Sequence, residues 1–175
     1  EAFAALAREV IPKVLREKGP EDRVRLWVPA CATGEEAYSL AILVAEELAK
    51  VKNPPRVQIF ATDIDDQALE VARHARYAGI GEKVSPSRLE RYFTKEGLRH
   101  KVKKSIRDMV VFSRHDVTRD PPFAHIHLLC CRNLFIYLEA ELQKKLLHLY
   151  HYALSPGGYL FLGSSENVTG LEGFF

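Results

Sequence analysis

The sequence predicts an α/β fold, a mainly parallel sheet covered by helices on both faces. Three observations carry that expectation. Short apolar runs alternate along the chain with longer segments of helical spacing. The first such run, in "VPACATGEEAYSLA" (residues 28–41), passes through small residues directly into a helix. No repeat, low-complexity tract or internal linker interrupts the alternation.

The elements follow in order. Phe3, Leu6, Val10 and Val14, with Ala7, Ile11 and Leu15, form a helical stripe that ends before Gly19-Pro20. "RVRLWVPA" is a strand, and residues 33–52 a long helix stopped by Asn53-Pro54-Pro55. "RVQIFATD" is the second strand, followed by a helix over residues 65–76. A short helix is expected over residues 86–92 with Ser85 as its cap. "MVVFSRHD" and "HIHLLCC" are further strands. Residues 139–153 make a helix with Leu142, Leu146, Leu149 and Ala153 on one face. "SPGG" then turns the chain into "YLFLGS".

One segment breaks this rhythm. "RYFTKEGLRHKVKKSIRDMVVF", about residues 92–113, alternates apolar and basic residues and predicts a small β-hairpin insertion. Its basic cluster, Arg99, His100, Lys101, Lys103 and Lys104, fits either an acidic partner or a solvated edge guarded by lysines, the latter favoured.

Composition narrows the function classes. A chain of 175 residues, 47% hydrophobic and 27% charged with net charge +2, is one globular domain with no argument for a nucleic-acid partner. No apolar run approaches the roughly 20 residues of a membrane span, and the N-terminus is not signal-like. Three cysteines, Cys31, Cys130 and Cys131, suggest reduced thiols and a cytoplasmic setting. A metal site recruiting His125 or His127 is disfavoured, because neighbouring strand residues point to opposite faces. The chain opens on a helix without an approach loop, which suggests a fragment of something longer.

The chemistry concentrates at the strand ends. Ligands of open α/β sheets sit outside the carboxyl ends of the strands. Ala30, Ala32 and Gly34 let a backbone approach a ligand there, although close helix–strand packing explains small residues equally well. Asp63 ends the second strand, 29 positions after Gly34 (63 − 34), placed for a ribose diol; Asp65 reads as a helix cap. Glu35 and Glu36 would repel a diphosphate at the helix start, and no G-x-x-x-x-G-K-[ST] occurs. A phosphate-free nucleoside with an ammonium and a sulfonium is welcomed instead, and S-adenosylmethionine fits that description. Asp116 and Val117 end a third strand where an adenine ring could lie. Arg132 and Asn133 leave a fourth, either to orient a ligand, to start a helix or to close an ion pair.

Together these residues closely resemble the chemotaxis receptor methyltransferases, the CheR family of protein-glutamate O-methyltransferases. The segments "CATGEEAYSLAI", "FATDIDDQALEVAR", "CRNLFIY" and "ALSPGGYLFLGSSEN" carry the resemblance in family order. The resemblance implies a class I methyltransferase fold, Rossmann-like, and methyl transfer from S-adenosylmethionine to glutamates of a chemoreceptor or sensor protein, leaving S-adenosylhomocysteine. It matches Glu36 to a cofactor-binding glutamate, Asp63 to a ribose-binding aspartate and Arg132-Asn133 to a pair at the cofactor. Asp116-Val117 stands where the family usually has Asn-Leu, and Tyr137 matches a tyrosine beside the transferring methyl. With Arg132, Tyr137 would act by orientation rather than by proton transfer.

The same resemblance implies departures. An N-terminal helical domain is expected to be missing except for its last helix, residues 1–20, ahead of a catalytic domain over residues 21–175. The closing strand expected after "SSEN" is also missing from the sequence, and the fragment is expected to bind cofactor weakly. The short insertion implies independence from a receptor pentapeptide tether. The wording also resembles the methyltransferase unit of hybrid proteins fused to a methylesterase and sensor domains. Two rival readings remain: a non-catalytic module holding S-adenosylmethionine or its product, and a dinucleotide oxidoreductase, which the acidic turn disfavours.

Overall fold

The computed structural model describes residues 2–163 and Glu166. The chain starts with two short helices, α1 (Ala2–Ala5) and α2 (Ile11–Leu15), joined by a π-helical turn, Leu6–Val10. Pro12 accounts for the wide turn: its ring would strike the carbonyl four residues earlier, and the Ile11 N–H reaches back five residues to Leu6.

The main sheet holds β1 (Arg23–Pro29), β2 (Arg56–Asp63), β6 (Val110–Arg114), β7 (Ile126–Cys131) and β8 (Leu154–Leu162). Its order is β6-β2-β1-β7-β8, and every neighbouring pair is parallel. The five strands read from the sequence are therefore the five strands of the sheet. The helices that link or cover them are α3 (Glu35–Leu48), α4 (Asp66–His74) and α7 (Ala140–Ala153). Strand order reverses between β1 and β7, the switch point at which such sheets open a crevice.

Alternation along each strand feeds two cores. Leu26, Val28, Leu128 and Cys130 face the core packed by α2, α3 and α4, whereas Trp27, Leu129 and Cys131 face the one packed by α7. Adjacent Cys130 and Cys131 thus lie on opposite sides of the sheet. The one buried polar residue among those described, Thr62, accepts the Trp27 indole N–H at 3.0 Å and so keeps that donor satisfied.

The insertion is a second sheet, with strand order β3-β5-β4. β4 (Phe93–Glu96) and β5 (Arg99–Val102) form the hairpin, and β3 (Arg76–Ala78), which the sequence did not reveal, pairs with β5. Helices α5 (Pro86–Tyr92) and α6 (Lys104–Arg107) flank the hairpin. Ser85 occupies the cap position of α5 but makes no side-chain capping bond. Asp65 does cap α4, accepting from Gln67 N and Ala68 N.

One local expectation needs correcting. "SPGG" does not precede the last strand but bulges inside it. Partners move two residues along β7 (Ile126 to Leu128) and five along β8 (Leu154 to Tyr159). A Cβ at Gly158 would lie 2.9 Å from the Ser155 carbonyl oxygen and 3.0 Å from that of Ile126, so only glycine fits. The sequence predicts that the last strand reaches Ser164; that residue and most of "SSEN" lie outside the described residues.

Candidate functional site

The carboxyl ends of β1, β2, β6 and β7 meet at the turn that follows β1. Backbone at Ala30 (φ 53°), Ala32 (φ 45°) and Gly34 (φ 87°) is left-handed, a conformation costing a non-glycine residue about 1–2 kcal/mol. The turn is held from outside. Cys31 N donates to the Thr62 carbonyl at 2.9 Å, and Ala32 N donates to Asp63 Oδ2 at 2.8 Å. Asp63 Oδ1 accepts from Asp65 N at 2.9 Å, so one carboxylate ties the first turn to the start of the next helix. Tyr77 of the small sheet braces the far side, its hydroxyl donating to the Thr33 carbonyl at 2.7 Å.

Gly34 is explained by packing as well as by φ. A Cβ there would lie 2.8 Å from Ala72 Cβ on α4 and 3.0 Å from the Phe112 ring on β6. Ala30 and Ala32 keep the turn's outer surface small.

The two acids that open α3 divide their work. Glu35 is exposed and accepts the Thr33 hydroxyl at 2.6 Å. Glu36 turns inward and meets Arg132, with Arg132 Nη1 donating to Glu36 Oε2 at 3.2 Å. Burial raises the Glu36 carboxyl above its ordinary value; Arg132 opposes that shift and nearby Glu166 adds to it. Arg132 also lies over two rings, 5.4 Å from the Phe3 centroid and 5.8 Å from that of Phe161. Among the described residues its Nε is buried without a hydrogen-bond partner.

Next to Arg132, Asn133 adopts φ 59° and is exposed. Tyr137 ends a short 3₁₀ turn, Phe135–Tyr137; Phe135 is buried beneath it while Tyr137 is 80% exposed. Asp116 spends its carboxylate locally: Oδ1 accepts from Thr118 N at 2.9 Å and from the Thr118 hydroxyl at 2.6 Å. Those bonds hold it below the usual carboxylate range. Val117 packs against the core beneath α7.

Glu36 and Arg132 are therefore in direct contact, and Ala32 and Asp63 are as well. Glu166 was missed in the sequence, although it stands within "ALSPGGYLFLGSSEN". Both of its carboxylate oxygens are buried without a partner among the described residues. The donor set suits a phosphate-free adenosyl ligand: acids for an ammonium, an acid beside the strand end for a diol, and a spare guanidinium N–H for a carboxylate. Among the described residues no group of His, Cys, Asp and Glu is placed to hold a metal ion. A separate cleft of about 620 Å³ lies between α3 and the small sheet, reaching Glu35, Tyr38, Arg76, Tyr77 and Arg99.

Comparison with known proteins gives a consistent result. Residues 1–175 match the family model described as CheR methyltransferase, SAM binding domain, where SAM is S-adenosylmethionine. An uncharacterised 104.1 kDa protein of Rhodobacter capsulatus is 38% identical over 176 residues, covering 100% of this chain and 18% of that protein. Chemotaxis protein methyltransferase 1 of Pseudomonas aeruginosa is 36% identical over 177 residues, covering 97% of this chain and 64% of that protein. The chain thus spans less than two thirds of either relative. Among solved structures, the glycopeptide N-methyltransferase MtfA complexed with sinefungin aligns with TM-score 0.55 at 13% identity, over 91% of this chain and 49% of that one. The DhpI–SAH complex aligns with TM-score 0.55 at 15% identity, over 92% and 53%. These likenesses are of fold, and the fold is that of the class I methyltransferases expected from the sequence.

Proposed function

Because the chain belongs to the CheR methyltransferase family, as its SAM binding domain, we propose that it serves S-adenosylmethionine-dependent methylation of glutamate side chains in chemoreceptor-type proteins. The observation that carries this reading is the Glu36–Arg132 contact of 3.2 Å at the switch point, one turn away from the Asp63 brace. S-adenosylmethionine supplies a sulfonium methyl group, which a carboxylate oxygen can take in one in-line displacement, leaving a neutral thioether.

The protein's part is binding and orientation. Asp63 has acceptor capacity left on both oxygens after its two backbone bonds, and it takes the ribose diol. Glu36 takes the ammonium of the methionine end, and Arg132, through its unpartnered Nε, the carboxylate. Ala30, Ala32 and Gly34 bring the backbone turn against the ligand, with Asn133, Asp116 and Val117 bordering it from the neighbouring strand ends. Tyr137, exposed just beyond β7, screens and orients the incoming carboxylate. A free glutamate, with a pKa near ~4.3, is ionised at neutral pH, so the reaction needs no general base. It needs collinear approach within roughly 3–3.5 Å and the exclusion of water.

The experiment is methyl transfer from radiolabelled S-adenosylmethionine to a chemoreceptor cytoplasmic fragment. The label should be released as volatile methanol by mild base, since that lability marks a carboxylate ester. Base-stable label would point to methylation at nitrogen, and tight S-adenosylhomocysteine binding without any transfer would reduce the chain to a cofactor-holding module.

A further inference from the structure

Glu166 carries a feature that the chemistry assigned so far leaves unexplained. Both carboxylate oxygens are shut off from solvent and make no hydrogen bond among the described residues, an arrangement that proteins rarely tolerate without a partner. The backbone nevertheless makes room for it. Glu166 N donates to the Gly163 carbonyl at 3.2 Å, and a Cβ on Gly163 would overlap Glu166 Oε2. The same Cβ would lie 3.5 Å from Asn133 Oδ1, which places the carboxylate beside the residues leaving β7. It is near enough to Glu36 to raise the latter's pKa, while Arg132 lowers it.

We infer that Glu166 is a second carboxylate of the methionine-end subsite, sharing with Glu36 the recognition of the donor's ammonium group. This rests on the cofactor reading above and adds a specificity-determining residue to it. The charge balance supports the assignment. Two carboxylates and one guanidinium sum to −1, whereas S-adenosylmethionine, with its sulfonium, ammonium and carboxylate, carries +1. An ammonium has three donors, more than Glu36 satisfies while one of its oxygens is held by Arg132. Glu166 provides two further acceptors, neither of them engaged among the described residues.

The test compares two ligands by calorimetry on the whole chain: S-adenosylhomocysteine, and 5′-methylthioadenosine, which lacks the amino-acid end. Glu166→Gln should weaken S-adenosylhomocysteine binding by about tenfold or more, the scale of a lost charge-assisted hydrogen bond, and leave 5′-methylthioadenosine unchanged. Gly163→Ala, which keeps the charge but displaces the carboxylate, should reproduce the same selective loss. Unaltered S-adenosylhomocysteine affinity in Glu166→Gln overturns the inference. So does an equal loss for both ligands, which would mark a general loss of structure instead of a missing contact. Failure of the unmutated chain to bind either ligand would refute the cofactor reading itself and is distinct from both results.

Discussion

Replacing Gly34 with alanine should destabilise the protein through two separable costs. Its backbone sits at φ 87°, which charges a Cβ-bearing residue about 1–2 kcal/mol. The added methyl would also lie 2.8 Å from Ala72 Cβ and 3.0 Å from the Phe112 ring, both on rigid elements, and overpacking of that kind costs about 1–3 kcal/mol. The sum is about 2–5 kcal/mol, and for a domain of this size it lowers Tm by on the order of 10 °C. Urea unfolding of Gly34→Ala, Ala72→Gly and the double variant measures both parts. Trimming Ala72 relieves its share of the steric cost but neither the Phe112 contact nor the dihedral cost, so the cycle should show a coupling of about 1 kcal/mol or more. A single-variant loss below about 0.5 kcal/mol, or a cycle with no coupling, would refute the packing account of this glycine.

Two further predictions concern titratable groups. Burial raises the folded-state pKa of Glu36 above the ordinary 4.5, so from there up to the raised value the folded protein holds the extra proton. Its contribution to stability is fully present below 4.5 and is lost as pH rises through that window. Glu36→Gln should remove this downward slope from a plot of unfolding free energy against pH, and an unchanged slope would contradict it. The three thiols should resist Ellman's reagent at pH 8 in the folded protein and react fully in denaturant. Cys31 and Cys131 are pushed up to about 12 by burial, and Cys130 is raised as well. Rapid modification of the native protein would show that one of these cysteines is accessible.

What could be read in the sequence was set by hydrophobic pattern and punctuation. The five sheet strands were legible because each is an apolar run flanked by helical spacing or by turn residues. β3 was not, because three residues, Arg76–Ala78, directly follow a helix and carry no pattern long enough to recognise. The "SPGG" bulge read as a turn because its residues favour both, and only pairing with β7 decides between them. At the site, the charge of the helix start was visible but not its division of labour. Glu35 and Glu36 are adjacent in sequence, and only the direction of each side chain separates the exposed acid from the one facing Arg132. Glu166 has no pattern of its own in the sequence, and what sets it apart, oxygens buried without a partner among the described residues, exists only in three dimensions.

The ring of Phe3 under the Arg132 guanidinium joins the first helical segment to the mouth of the sheet. That segment therefore supplies one of the two rings against which Arg132 rests. A shift of residues 2–15 would carry that ring away from the guanidinium and leave Arg132 resting on Phe161, beside the carboxylate of Glu36.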